Sequence, residues 1–305
     1  MRQPLSIYVR AAGLSAKRFE TRVVRKVRKL ADKEAASSAA KSPHRPAISL
    51  DMIAEAIATL DIVRGDRVIV HSGIGALGKV AGGPKGVFSL LRDVVGDEGL
   101  LLFPAFPFDT LMYDYLMSRP SFDVRTAPAK MGAVVNMALA DQDHVRSIHP
   151  THSIAAFGRE AKALVADHHL DDTPFGPRSP YWRLADSQGK VLVIGVGLSS
   201  VTGFHLPEDR LGSRFPVRVY HSNRFEIDCT DWQGKSVKVN TPAHNPLISR
   251  VRDCYLVENV FLVGGIYRKL PVGQHYVGAI DFSAMDACLQ RLALEGRTIY
   301  GRIWG

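Results

Sequence analysis

His205 and Glu208 are the residues of this chain best typed and spaced for proton transfer. An imidazole titrates near working pH, and a neighbouring carboxylate holds the ring and stabilises its charged form. The pair closes a segment that begins Val191-Leu-Val-Ile-Gly195-Val-Gly197 and continues past Ser199, Ser200 and Thr202. Its apolar start is the pattern of a strand buried on both faces. Open α/β sheets bind ligands beyond the carboxyl ends of their strands, which is where a general base belongs. Positions i and i+3 share a helix face, but Pro207 lies between them and fits a helix only in its first turn. The helix therefore starts at Pro207 or kinks there. Two readings stand at this point: a base with its carboxylate, or a helix-start histidine capped by local contacts.

Two more loops carry functional residue types. His71-Ser-Gly-Ile-Gly-Ala-Leu-Gly78 leads to Gly82-Gly-Pro84-Lys85. Glycines let a backbone approach a ligand, and a helix opening at Pro84 offers free N–H groups to an anion. The same segment also reads as a plain glycine-rich turn, because it matches neither common phosphate-loop pattern. Arg146-Ser-Ile-His149-Pro-Thr-His152-Ser153 places two histidines three apart around a proline. No helix phases them and no third ligand is placed, so a fixed turn lining a pocket is preferred to a metal site.

These loops need a scaffold. Ser49 is placed to cap a helix through Leu60, and Arg67–His71 reads as a buried strand. A helix runs from Gly82-Gly-Pro84 to Val95, and a second apolar strand covers Leu100–Phe106. Lys130–Ala140 reads as helix, Ser153–Phe157 as strand, Arg159–Ala166 as helix and 190–197 as strand. After Leu211 alternating segments such as Val217–Tyr220, Phe225–Cys229 and Val237–Val239 predict antiparallel strands. Ala279–Leu294 closes the pattern as a helix. The architecture is a mixed α/β core with a β-rich carboxyl-terminal part.

The chain has 305 residues and a net charge of +9, and the excess is local: residues 1–45 hold 12 Lys/Arg against three Asp/Glu, while the rest balances. Residues 17–36 read as a basic helix and 37–46 as a linker, which separates an extension (1–47) from a folded domain (48–305). The extension reads either as a solvated tail or as weak contact with an anionic membrane. Its single aromatic between Arg10 and Pro46, Phe19, argues against nucleic acid. With 46 % hydrophobic residues but no run of about eighteen uncharged apolar ones, no membrane span is expected. Neither a signal peptide nor a lipid-acceptor site is visible. Cys229, Cys254 and Cys288 are widely separated, which fits a reducing cytoplasm and gives no disulfide framework. A homodimer is left open.

Taken together and in order, the segments resemble the aminoglycoside 3-N-acetyltransferase family. Its V-H-x-S-L-x-x-[IL]-G loop and G-G pair appear as Val70–Gly78 and Gly82-Gly83, followed by a strand ending at Pro104. The T-x-x-x-M-G element appears with one extra residue as Thr126-Ala-Pro-Ala-Lys-Met131-Gly132, R-S-x-H-P-x-x-S runs from Arg146 to Ser153, and G-x-x-S-P is Gly176–Pro180. The G-V-x-x-x-S-x-T-x-x-H-L-x-E signature ends at His205 and Glu208. The likeness runs from about Leu60 to Arg210, and more weakly near Gly278-Ala279 and the final helix.

The resemblance implies that family's own α/β fold and an acetyl-CoA-dependent N-acetyltransferase without a metal, with His205 as general base and Glu208 as its orienting partner. It implies coenzyme contacts from His71, Ser72, Gly73, Ile74, Gly75, Gly78, Gly82, Gly83, Lys130, Met131, Gly132, Arg146, Ser147 and Thr202. Acceptor contacts would come from Asp109, His149 and His152. Backbone N–H groups near Ser72 or Thr202 are candidates for the oxyanion. Direct transfer in a ternary complex is the simplest route, since no cysteine is placed for an acyl-enzyme.

The chain departs from the pattern at three places. Pro207 replaces a small residue, and Gly73-Ile74 stands where Ser-Leu is typical. The acidic segment Y-D-S-N-G-x-x-D of antibiotic-modifying members is missing, its region reading Thr241-Pro-Ala-His244-Asn245-Pro, with Arg250 and Arg252 beyond. Polycationic antibiotics call for carboxylates. The expected acceptor is therefore a less cationic amino sugar, such as a nucleotide-linked precursor of a surface polysaccharide. Aminoglycoside resistance and a non-catalytic coenzyme-binding or assembly protein are the alternatives.

Overall fold

The computed structural model of the chain describes residues 47–302. The expected basic helix over 17–36 and the linker over 37–46 lie outside the described residues.

Ser49 accepts a hydrogen bond from Met52 N at 3.2 Å and starts α1 (Leu50–Thr59), whose Ile53, Ala56 and Ile57 turn inward. β1 (Arg67–Ser72) leads through the glycine-rich turn to α2 (Gly83–Val95), with Pro84 in its first turn, and then β2 (Leu100–Pro104). Next come α3 (Met112–Met117), β3 (Phe122–Asp123), α4 (Ala133–Ala140), β4 (Val145–Arg146), β5 (Ile154–Phe157), α5 (Ala161–Val165) and α6 (Pro180–Asp186). β6 (Lys190–Ile194) and α7 (Leu206–Leu211) follow, then β7 (Tyr220–Thr230), β8 (Ser236–His244), α8 (Pro246–Val251) and α9 (Glu258–Val263). β9 (Tyr267–Val272), β10 (His275–Asp281), α10 (Phe282–Leu294) and a small hairpin, β11 (Arg297–Thr298) with β12 (Gly301–Arg302), complete it.

The main sheet has the order β4-β5-β2-β1-β6-β10-β9. Its centre, β2-β1-β6, is parallel, and both flanks are antiparallel. Side chains alternate across the pleat. Ile69, Leu102, Val191 and Val193 enter one apolar core, while Val68, Val70, Leu192 and Ile194 enter the other. Both faces of the central strands are thus covered, which explains their unbroken apolar runs. A second sheet, β3-β7-β8, joins a parallel pair to a long antiparallel hairpin and has its own core around Phe122, Ile227 and Val239.

The mixed α/β class and the β-rich carboxyl-terminal part are as expected, but several boundaries differ. β2 stops at Pro104, which has no N–H to extend a ladder. The helix expected from Lys130 begins at Ala133, after Gly132 turns the chain at φ +104°. β6 stops at Ile194 because Gly195 adopts φ +66°, and a Cβ there would lie 2.6 Å from Gly73 O. That close approach holds the ends of β1 and β6 together, with Gly73 N donating to Ile194 O at 2.8 Å. Ala279 is in β10 rather than the last helix, which starts at Phe282 behind the Asp281 cap. Of Val217–Tyr220 only Tyr220 is in a strand.

Candidate active site

A short 3₁₀ turn, Thr202–His205, follows the end of β6 and passes directly into α7, with His205 as the cap and Pro207 in the first turn. Proline there is pre-organised for the helix, so it preserves the i, i+3 alignment. His205 Nδ1 lies 2.9 Å from Glu208 Oε1. Glu208 receives two further donors: His244 Nε2 at 2.9 Å on Oε2, and the Tyr300 hydroxyl at 2.5 Å on Oε1. On the other edge of the His205 ring, Arg252 Nη1 lies 2.6 Å from Nε2.

These contacts assign the tautomer. A guanidinium can only donate, so Nε2 of His205 accepts and Nδ1 carries the proton given to Glu208. Burial pushes the His205 imidazole down to about 4, with Glu208 pulling it back up and the charges of His244 and Arg252 lowering it further. It is neutral at pH 7. For Glu208, burial pushes upward, but His205 and His244 outweigh it and hold the carboxylate at about 2. The ligand-type atoms of His205, Glu208 and His244 lie within 4.8 Å of one another. Both histidines, however, spend a nitrogen on the carboxylate itself, which makes the cluster a hydrogen-bonded relay.

The relay opens into a cavity of about 420 Å³ at the carboxyl ends of the parallel strands, the position expected of an open α/β sheet. Of the residues picked from sequence, His71, Ser72, Lys130, Met131, His152, Thr202 and His205 line it. The side-chain atoms His71 Nε2 and Ser72 Oγ are buried without a hydrogen-bond partner. Burial pushes His71 down to about 3, so it too is neutral. Two residues of one cavity lining thus carry buried polar atoms without a partner, which points to a ligand.

Other expected contacts are elsewhere. Gly73, Ile74, Gly75 and Gly78 form the turn below the cavity but do not line it, and neither do Gly82, Gly83 or Gly132. Asp109 is exposed between Phe108 and Thr110, which do line it. Glu208 sits behind His205 rather than in the lining.

The Arg146-to-Ser153 segment is mostly structural, which corrects the coenzyme contacts expected of Arg146 and Ser147. Arg146 is 1 % exposed and donates to Ala105 O at 2.6 Å, Ala127 O at 2.5 Å and Ser153 Oγ at 3.1 Å. Ser147 Oγ accepts from Ile154 N at 2.9 Å and faces His168 Nδ1 at 3.0 Å. His149 is fully buried, stacks on His168, and takes the N–H groups of Thr151 and His152 on Nδ1. The preferred fixed turn is present, with only His152 reaching the cavity.

Sequence reasoning missed the roles of His244, Arg252 and Tyr300. No local spacing ties them to His205. They arrive from the end of β8, the residue after α8 and the β11–β12 turn.

The sequence profile described as aminoglycoside 3-N-acetyltransferase matches residues 69–292, from β1 to near the end of α10. The chain belongs to the aminoglycoside 3-N-acetyltransferase family. Among its relatives, aminoglycoside N(3)-acetyltransferase VII of Streptomyces paromomycinus is 36 % identical over 179 residues, covering 53 % of this chain and 62 % of the relative. The chain thus spans about three fifths of that relative's length. The crystal structure of aminoglycoside acetyltransferase AAC(3)-Xa superposes with a TM-score of 0.71 at 28 % identity, over 88 % of this chain and 98 % of that one. A sisomicin-bound structure of AAC-VIa gives 0.65 at 25 % identity, over 83 % and 100 %. Within this member of the family, the profile covers His205, Glu208, His244 and Arg252 but stops short of Tyr300.

Proposed function

We propose that the protein transfers an acetyl group from acetyl-CoA to a primary amine of an amino sugar, with His205 as general base. Aminoglycosides, the class named in its relatives, are the first acceptors to test. The observation that carries this reading is the His205–Glu208 relay, whose far nitrogen faces a cavity that also holds unpartnered His71 and Ser72 atoms.

When bound, acetyl-CoA supplies an activated thioester carbonyl. The amine nitrogen forms a bond to that carbon while its proton passes to His205 Nε2, and the imidazolium is stabilised through Nδ1 by Glu208. His244 and Tyr300 keep the carboxylate aimed at the ring. As the C–S bond breaks, the same proton returns to the sulfur, giving amide and free thiol. Ser72 Oγ–H is a donor for the negative charge that develops on the carbonyl oxygen. Lys130, Met131 and Thr202 are the lining residues that would hold the coenzyme arm.

One observation supports a second reading of the acceptor. Among the described residues, the cavity is lined by the cations Lys130 and Arg252 and by no Asp or Glu. A polycation gains nothing there, so a less cationic amino sugar, such as a nucleotide-linked polysaccharide precursor, fits the lining better.

The test follows thiol release from acetyl-CoA with kanamycin-type amines and with UDP- and dTDP-amino sugars. His205→Ala is expected to lower turnover on the order of 10²–10⁴-fold while coenzyme binding persists. Equal turnover in the variant removes His205 from the mechanism. No thiol release with any of the amines, with the coenzyme still bound, would leave a coenzyme-binding protein.

A further inference from the structure

Among the described residues, Arg252 makes no direct ion pair with a carboxylate. Its guanidinium is half-buried at the cavity wall, and its hydrogen bond runs to a neutral imidazole nitrogen, His205 Nε2, rather than to a carboxylate. Guanidinium groups prefer carboxylates and phosphates, whose paired oxygens match the planar fork with two parallel bonds and whose negative charge adds a direct ionic attraction. The nitrogen it occupies is also the one a base must keep free, because Nδ1 is committed to Glu208. As the protein stands, the base is capped by an underused cation.

Resting on His205 as the base, we propose that Arg252 anchors an anionic group, phosphate or carboxylate, carried by the same molecule as the reacting amine. Binding that group draws the guanidinium off His205 Nε2 and opens the nitrogen to the amine proton. The exchange replaces a bond to a neutral ring with a bidentate pair to an anion, so an anionic acceptor drives its own activation. An uncharged or polycationic amine leaves Arg252 either capping the base or displaced without a partner. Lys130, the second cation of the lining, adds to the same field. The coenzyme's phosphates share this chemistry, but Arg252 sits at the ring that meets the amine, which assigns it to the acceptor.

The experiment compares kcat/KM for glucosamine, glucosamine 6-phosphate and a 2-amino-2-deoxyuronic acid in the wild type, Arg252→Met and Arg252→Lys. The wild type is expected to favour the anionic sugars by about 10- to 100-fold, the range of one charge-assisted hydrogen bond. Arg252→Met should abolish that preference through acceptor KM while leaving the KM for acetyl-CoA unchanged, and Arg252→Lys should keep part of it. Preference for glucosamine or kanamycin, retained preference in Arg252→Met, or a change confined to the KM for acetyl-CoA would each overturn the proposal.

The cap itself is read without turnover by diethyl pyrocarbonate labelling of His205, which needs a free ring nitrogen. Labelling should be slow in the wild type and faster with inorganic phosphate or in Arg252→Met. Equal rates in all three would overturn the cap. Labelling that behaves as described in a protein that acetylates no amine would sink the acetyltransferase reading and leave the cap standing.

Discussion

His205 and His244 reach the two oxygens of a single buried carboxylate, Glu208, with ring centroids 4.5 Å apart. Glu208 therefore does more than orient one ring: with Tyr300 it collects three donors. Glu208→Gln is nearly isosteric but replaces one accepting oxygen with an NH₂. Whichever way the amide turns, either the His205 Nδ1–H and Tyr300 hydroxyl pair or the His244 Nε2–H loses its acceptor, and the amide cannot stabilise an imidazolium. Turnover should fall by on the order of 10²–10⁴-fold, measured as thiol release with saturating acetyl-CoA. A rate within twofold of wild type would show that the carboxylate is not part of the chemistry.

His244 lines the cavity beside His205 and donates to Glu208, so its loss should weaken the relay. His244→Phe keeps the ring's bulk beside Tyr220 and His205 but removes the donor. We expect kcat to drop by about 10- to 100-fold, as for a hydrogen bond to a charged group, with the KM for acetyl-CoA unchanged. His244→Gln, which still donates, should recover part of the loss. If both variants lose activity only together with thermal stability, His244 is a packing residue.

The Arg146 guanidinium, seated under the Phe122 ring at 4.9 Å, serves the backbone of the β2 and β5 ends. Arg146→Met leaves the Ala127 carbonyl without its donor, strips Ala105 O of one of two donors (Ser153 Oγ–H at 2.8 Å remains), and takes the partner from Ser153 Oγ. At about 1–3 kcal/mol for each stranded group, the urea midpoint should fall markedly. Coenzyme affinity of the folded fraction should not change, whereas weakened coenzyme binding at full stability would restore Arg146 to the cleft.

Arg146 also shows where sequence reading runs out. β6 and the His205/Glu208 pair were legible because strand, turn and cap lie within one short stretch, although the strand ends at Ile194 and not at Gly197. The motif around Arg146 was equally visible, yet a motif records that a residue type is needed and not which side of a strand end it faces. His244, Arg252 and Tyr300 converge on the pair through tertiary folding and left no spacing to find. Ala279 and Ile280 look compatible with a helix alone, but pairing with Leu192 and Val191 of β6 decides for strand.

The uneven charge of the chain allows a separate test. Residues 1–45 are proposed as an extension that meets anionic surfaces, on the strength of 12 basic against three acidic residues. Deleting them should leave turnover intact and lower co-sedimentation with phosphatidylserine vesicles at low salt. Unchanged vesicle binding would assign any such affinity to the folded body, whose charges balance.

Stability should depend steeply on acid because so many imidazoles are held neutral by burial. His71 and His168 are pushed down to about 3, His205 to about 4, and His149 and His152 well below the ordinary 6.5. Below pH 6.5 the unfolded chain takes up protons that the folded one refuses, so stability falls as pH drops toward those values. Each ring contributes at most about 1.4 kcal/mol per pH unit. Asp209 and Asp286 act in the opposite sense. Burial raises both to about 6, so they hold protons in the fold between the ordinary 3.8 and 6 and offset part of the loss there. Glu208, held at about 2 against an ordinary 4.5, adds a further loss below pH 4.5. Urea midpoints should therefore begin to fall near pH 6.5, keep falling through pH 6 to 5 with the two aspartates moderating the slope, and fall most steeply near pH 4.5, where Glu208 adds its share. A midpoint level from pH 7 to 5 would mean that these rings are charged in the folded protein, and with them the proposed base.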